Sequence, residues 1–297
     1  MQPKEIRATI CLFLTSLIWG ISFVAQVVGM DYMRPFTFNG ITYFIGVAAL
    51  VPVILVFDRT RPTPAERKKL WLYGLICGIV LFAGSNFQQF GVEMTESAGK
   101  SGFITGLYII IVPIVGVFMK RSTSKLTWVG ACLAVVGMYF LTVQDRLGSL
   151  EPGDLMLLIG AFFWAAHIIV IDRFANRVSS IRLSQTQFII CGALCVICAL
   201  ATETVVPESI LLAYVPLLYR GIGSIAAAFT LQILGQRYVP PARASVIFSL
   251  ETVFSVIGGA ILLHEVMTGR AYFGCALIFC GIILSQIRPK AKLKPSS

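Results

Sequence analysis

Charged residues are scarce in this 297-residue sequence. They make up 13% of the chain, and hydrophobic residues make up 57%, whereas an ordinary globular protein is roughly 25% charged. A soluble surface cannot be covered with so few charges, so the composition predicts an integral membrane protein. Histidine is rarer still: there are two, and His264 has no second histidine at the H-E-x-x-H spacing. That absence excludes a zinc protease of that class.

No cysteine falls at a paired spacing in a loop. All eight lie inside apolar runs, which argues against both a secreted disulfide framework and a zinc ribbon. Cys191, Cys195 and Cys198 share one helical face, and we interpret them as packing residues because no histidine or carboxylate stands at ligand spacing beside them. The sequence therefore predicts neither a metal nor a cofactor.

Long loops are absent as well. The longest covers residues 58–69, which leaves no room for a soluble catalytic or nucleotide-binding domain. Gly99-Lys100-Ser101 lacks the earlier glycine of a phosphate-binding loop, because Met94 occupies that position. Any activity must therefore reside between the helices.

Apolar runs long enough to cross a bilayer occupy most of the chain. A spanning helix needs about 20 mostly apolar residues, and ten segments meet that length: 8–28, 36–57, 70–90, 98–119, 126–143, 154–171, 183–202, 215–236, 242–263 and 270–287. If the N-terminus is inside, the inner segments hold 19 of the 24 Lys and Arg residues, the outer loops hold three, and two fall within spans. Because cytoplasmic loops carry the excess of basic residues, this predicts a cell-membrane protein with both termini in the cytoplasm.

The chain also contains a weak internal repeat. An offset of 144 aligns Gly91 with Gly235 and Gly130 with Gly274, and an offset of 145 aligns Trp19 with Trp164. The repeat divides the ten spans into two sets of five, in residues 1–147 and 148–297. Because five is odd, the second set must enter the membrane upside down, an arrangement common in secondary transporters.

Several motifs carry a family resemblance. They are WGISF at 19–23, TESAGKSGFITGLY at 95–108, SLE at 249–251, HE at 264–265 and the glycine-bounded segment 274–281. Together they resemble the EamA-type carriers of the drug/metabolite transporter superfamily over nearly the whole chain. The resemblance implies two inverted five-helix repeats around a central cavity, and transport, often export, of small metabolites such as amino acids.

Polar and aromatic residues within the spans are the candidates for lining that cavity and binding the substrate. They are Trp19, Ser22, Gln26, Asn86, Gln89, Thr105, Tyr108, Trp164, His167, Arg220, Gln232, Ser249 and Glu251. Aromatic walls with a few hydrogen-bonding groups suit small organic solutes better than bare ions.

Two of these residues are candidates for proton coupling. Glu251 lies about 15 Å along its helix, near the midplane, where an ionisable group is costly unless it pairs or faces water. It could carry a proton, bind a substrate ammonium or pair with Arg220, which lies on the adjacent helix. His167 could relay protons or be a structural histidine hydrogen-bonded between helices.

The function that we predict is a secondary carrier of a small polar organic metabolite, amino-acid-like, working by alternating access. Its expected partners are that substrate and the membrane lipids, and not nucleic acid, because the basic residues lie between apolar runs. The rival is an integral-membrane enzyme acting on a lipid-linked substrate, which would need carboxylates or histidines clustered at one face. A channel is disfavoured because the sequence has no ring of like charge and no filter motif.

The predicted orientation can be tested by labelling. A single cysteine at Glu208, in a background without native cysteines, should react with an impermeant thiol reagent applied to intact cells, whereas one at Glu66 should not. The reverse labelling pattern would overturn the orientation.

Overall fold

The computed structural model describes residues 3–59, 62–121, 123–142, 151–262 and 268–287, and every regular element in these ranges is a helix. Nine helices there are long and apolar enough to span a membrane, and a tenth apolar helix is shorter. In chain order the ten spans are Pro3–Met30, Pro35–Phe57, Pro64–Thr95, Ala98–Phe118, Lys125–Thr142, Pro152–Phe174, Ser180–Thr202, Tyr214–Gln236, Pro241–Leu262 and Gly269–Gln286. The predicted all-α membrane fold is confirmed. The predicted His264-Glu265 motif lies outside the described residues.

The third span begins six residues before its predicted apolar run. Pro64 occupies the first helical position, and Thr63 caps the helix: its hydroxyl accepts from the Glu66 amide, and the Glu66 carboxylate accepts from the Thr63 amide at 2.8 Å. This capping box extends the helix into the polar segment before the membrane.

Helix packing joins the first five spans to the last five. The fifth span packs along the tenth, the third along the sixth and seventh, the second along the seventh, and the first along the eighth and ninth. Large apolar side chains remain exposed on the outside, including Phe118 at 83% and Leu200 at 75%. Such a surface is suited to lipid contact rather than to water.

Glycines bring paired helices close together at corresponding places in the two sets. Gly130 of the fifth span lies against the Gly281 backbone of the tenth, and Gly137 lies against Gly274. A Cβ atom added to Gly281 would lie 2.5 Å from the Gly130 carbonyl oxygen. Only glycine permits this approach, which is how membrane helices gain packing contact without a hydrophobic driving force.

Three spans, the fourth, eighth and ninth, lose regular α-helical hydrogen bonding for a short stretch near their middle, and we call them the interrupted spans. The fourth is divided at Leu107 into helices Ala98–Gly106 and Tyr108–Phe118, and the second of these continues through Pro113. The ninth is divided at Ser249, and the eighth contains a π-helical segment, Tyr219–Ala228. Non-α backbone at membrane depth is tolerated where it is buried in protein or lines a cavity, so these interruptions direct attention to the space between the three spans.

The glycine contact can be tested by adding one methyl group. Gly281→Ala should destabilise the protein by about 1–3 kcal/mol, because the new Cβ atom overlaps the fifth span. Gly116→Ala is the matched control, since the nearest atom to its added Cβ lies 4.0 Å away, and its melting temperature in detergent should be unchanged or higher. Equal melting temperatures for the two variants would contradict the packing.

Candidate functional site

A cavity lies between the helices at the interrupted spans. It is lined by residues from seven spans, the first to fourth, sixth, eighth and ninth: Trp19, Ser22, Phe23, Gln26, Tyr43, Gln88, Thr105, Tyr108, Trp164, Ile168, Arg220, Ser224, Ile225, Phe229, Gln232 and Glu251. Both sets of five spans contribute, and all three interrupted spans do. The irregular stretches of these three spans therefore all border the cavity.

Aromatic rings form one wall. The Trp19 and Trp164 rings, which the internal repeat aligns, have centroids 6.3 Å apart, and both contact Phe229. The Trp19 indole N–H donates to the Ser224 carbonyl at 3.3 Å. The two tryptophans therefore meet at the junction of the two sets, where each offers a rigid apolar surface to a ligand.

A chain of hydrogen bonds fixes the second wall. The Trp164 indole N–H donates to Gln88 Oε1 at 2.7 Å, and Gln88 Nε2 donates to Gln26 Oε1 at 2.8 Å. Gln26 Nε2 then donates to the Ser22 carbonyl oxygen at 3.2 Å. Because each amide bonds to the next, the chain fixes the orientation of side chains on the first, third and sixth spans.

Glu251 lies in the first turn of the second helix of the ninth span and is 3% exposed. The Tyr108 hydroxyl donates to its Oε1 at 2.9 Å, and no Lys, Arg or His in the described part of the chain lies within 4.0 Å of its carboxyl oxygens. Tyr108 itself follows the break in the fourth span. The two interrupted helices therefore meet through a carboxyl group that faces the cavity.

Arg220 lies in the π-helical segment and is 4% exposed. Its Nη2 donates to Asn39 Oδ1 at 2.9 Å, and its guanidinium lies 5.4 Å from the centre of the Phe38 ring. It forms no ion pair with Glu251, so the pairing of these two residues that the sequence left open is not present. Both line the same cavity, each without an opposite charge from the described chain.

Several polar atoms in the cavity wall have no hydrogen-bond partner among the described residues. They are Ser22 Oγ, Thr105 Oγ1, Arg220 Nε and both amide atoms of Gln232. Buried polar atoms are usually bonded, and unbonded ones call for an explanation. Here a polar ligand can supply the missing bonds.

The structure places nine of the thirteen candidate residues in the lining: Trp19, Ser22, Gln26, Thr105, Tyr108, Trp164, Arg220, Gln232 and Glu251. The other four lie behind it. Asn86 bonds to Asn39, Gln89 donates to the Gln26 carbonyl oxygen, and Ser249 donates to the carbonyl oxygen of Val246. Each bonds to a neighbouring helix or to its own turn instead of to the cavity.

His167 is the fourth of these residues, which matters for its predicted role. Its ring is fully buried, its Nε2 lies 2.9 Å from Gln187 Oε1, and its edge meets the rings of Trp164 and Phe229. The aromatic wall separates it from the cavity. The structure thus places His167 as a histidine bonded between helices.

Sequence reasoning missed seven lining residues: Phe23, Tyr43, Gln88, Ile168, Ser224, Ile225 and Phe229. Gln88 had a usable signal, because it neighbours Gln89, and the two differ only by a rotation of about 100° around the helix. Tyr43 had none, since the second span was not expected at the cavity. The apolar members resemble any other core residue in sequence.

The chain belongs to the EamA-like transporter family, which matches residues 6–143 and 151–286 separately. An uncharacterized transporter of Archaeoglobus fulgidus is 30% identical over 295 residues, covering 96% of this chain and 87% of that one. The uncharacterized inner membrane transporter YedA of Escherichia coli K12 is 23% identical, covering 92% and 88%. A crystal structure with 21% identity has the same fold, with a TM-score of 0.76 over 94% of this chain and 96% of the other. The protein is a membrane transporter.

Double-variant cycles should show that Glu251 is bonded to Tyr108 and not to Arg220. Tyr108→Phe and Glu251→Gln should couple by about 0.5–3 kcal/mol in unfolding free energy, because they share a hydrogen bond. Arg220→Gln and Glu251→Gln should couple more weakly than that pair, because no bond joins them and they share only the cavity. Denaturant titration in detergent measures both cycles. Stronger coupling between Arg220 and Glu251 than between Tyr108 and Glu251 would indicate that the two charged residues do form an ion pair.

Proposed function

We propose that this protein is a secondary-active carrier of a small polar organic metabolite, amino-acid-like, and that it works by alternating access between two inverted five-span repeats, residues 1–147 and 148–297. The observation that carries the proposal is the central cavity, which has aromatic walls. Among the described residues, several of its polar atoms have no hydrogen-bond partner, and its two ionisable side chains have no ion-pair partner. Aromatic walls with a few hydrogen-bonding groups suit a small organic solute. Export is the direction that the resemblance implies.

The helix contacts support the inverted arrangement. Leu157 of the sixth span packs on Gly91 of the third, and Leu12 of the first packs on Gly235 of the eighth. The repeat relates the two contacts: an offset of 145 aligns Leu12 with Leu157, and an offset of 144 aligns Gly91 with Gly235. Two halves with the same contacts can exchange conformations, which is the basis of alternating access in inverted repeats.

Apolar clusters flank the cavity on both sides. Chain position puts one cluster, including Leu12, Val112 and Phe248, toward the face where the basic loops lie. A second cluster, including Val92 and Leu157, lies toward the opposite face. In the proposed cycle each cluster seals one face while the other opens. We place the basic face in the cytoplasm, on the charge distribution alone.

Glu251 is the residue that we propose for proton coupling. Its carboxyl group is buried at the cavity, its only described hydrogen-bond partner is the Tyr108 hydroxyl, and it connects the two interrupted helices. An intramembrane carboxyl group in this position is typical of proton relays in transporters. His167 is not proposed for this role, because it lies behind the aromatic wall.

Reconstitution in liposomes tests the proposal. Protein in liposomes should exchange a small organic solute across the membrane with saturable counterflow. Glu251→Gln should retain counterflow but lose accumulation driven by a pH gradient, because exchange does not require a net proton movement. His167→Gln is the control and should retain both. Large single-channel currents, or turnover of a lipid-linked substrate without flux, would overturn the carrier, and gradient-driven accumulation by Glu251→Gln would overturn the coupling role.

A further inference from the structure

Arg220 is a buried cation that the described chain does not neutralise. An arginine keeps its charge inside a protein, and a buried charge left without a counter-ion is costly. None of the ion pairs in the described residues includes Arg220. A group of opposite charge entering the cavity would therefore meet a guanidinium that has no competing partner.

The surroundings of Arg220 hold the guanidinium in one orientation. Its guanidinium carbon lies over the fully buried Phe38 ring, and its Nη2 donates to Asn39 Oδ1. Asn39 Nδ2 in turn donates to Asn86 Oδ1 at 2.9 Å, and Asn86 Nδ2 donates to the Phe82 carbonyl oxygen at 2.7 Å. The network uses one nitrogen of the guanidinium, and Nε has no hydrogen-bond partner among the described residues.

We propose that Arg220 binds a carboxylate group of the substrate, with Asn39 as the residue that positions the guanidinium. This inference rests on the proposed function and names the substrate class as carboxylates. A planar guanidinium matches a carboxylate with two parallel hydrogen bonds. A doubly charged phosphate monoester fits less well, because Glu251 lines the same cavity and would repel it. Asn86 does not line the cavity, but it accepts a hydrogen bond from Asn39 and so helps to fix the orientation of the Asn39 amide. This role accounts for a buried polar residue outside the cavity.

Asn39 provides the sharpest variant. Asn39→Asp places a carboxylate beside Arg220 within the protein, so the guanidinium gains an internal partner that competes with the substrate. Asn176→Asp is the matched control: it adds the same charge at an exposed residue, whose side chain lies 3.5 Å from the Arg237 carbonyl oxygen. If Asn39→Asp does not fold, Arg220→Gln removes the binding group directly.

The experiment titrates purified protein in detergent with each of the twenty proteinogenic L-amino acids and with the corresponding carboxamides, by thermal shift and calorimetry. The wild type and Asn176→Asp should bind at least one amino acid about tenfold or more tightly than its carboxamide, since charge-assisted pairs are the stronger ones. Asn39→Asp or Arg220→Gln should bind the acid and the amide equally, with amide affinity unchanged. A structural role alone would change both ligands alike.

Three outcomes would overturn the inference: equal affinity for acid and amide in the wild type, an acid preference that survives Arg220→Gln, or no amino acid binding at all. The liposome assay distinguishes failure of the Arg220 proposal from failure of the proposed carrier function. Saturable flux of solutes without a carboxylate would refute the Arg220 subsite and leave the carrier intact. Acid-selective binding that depends on Arg220 but occurs without flux would refute the carrier function and leave the Arg220 subsite intact.

Discussion

The absence of water in the membrane interior is the constraint on which this structure depends. Every polar group at that depth must bond within the protein or face an internal cavity. Asn86, Gln89, His167 and Ser249 each form a bond between helices or within a turn, and of their atoms Gln89 Oε1 and His167 Nδ1 have no described partner. Arg220 and Glu251 satisfy the requirement only in part and face the cavity. Position at the cavity therefore separates the candidates for substrate contact from the polar residues that lie behind its wall.

The interrupted helices follow from the same constraint. The breaks at Leu107 and Ser249 and the π-helical segment Tyr219–Ala228 all lie beside the cavity. They present Tyr108, Glu251 and Arg220 to one cavity. Glycine contacts elsewhere, such as Gly130 with Gly281, supply close packing that does not depend on polar groups. The fold thus combines closely packed outer pairs with an irregular polar centre.

The sequence predicted the fold well because apolar runs of about 20 residues are a strong and local signal. It missed the start of the third span, where the Thr63–Glu66 capping box extends the helix beyond the apolar run. It predicted much of the cavity, since Trp19, Trp164, Arg220 and Glu251 are unusual residues at their depth. It could not choose between Gln88 and Gln89, nor separate His167 from the cavity, because helix rotation and neighbouring side chains are set by tertiary packing. The Arg220–Asn39 bond was hidden for the same reason, as it joins residues 181 positions apart.

Alternating access to one central cavity is the central claim, and cysteine accessibility tests it most directly. A single cysteine replaces Gln232, a lining residue without a hydrogen bond, in a background without native cysteines. The protein is then labelled with an impermeant thiol reagent in vesicles of each orientation. The account predicts that labelling occurs from both sides and that a bound substrate shifts reactivity from one side to the other. Reactivity from one side only, unchanged by any solute that binds, would contradict it.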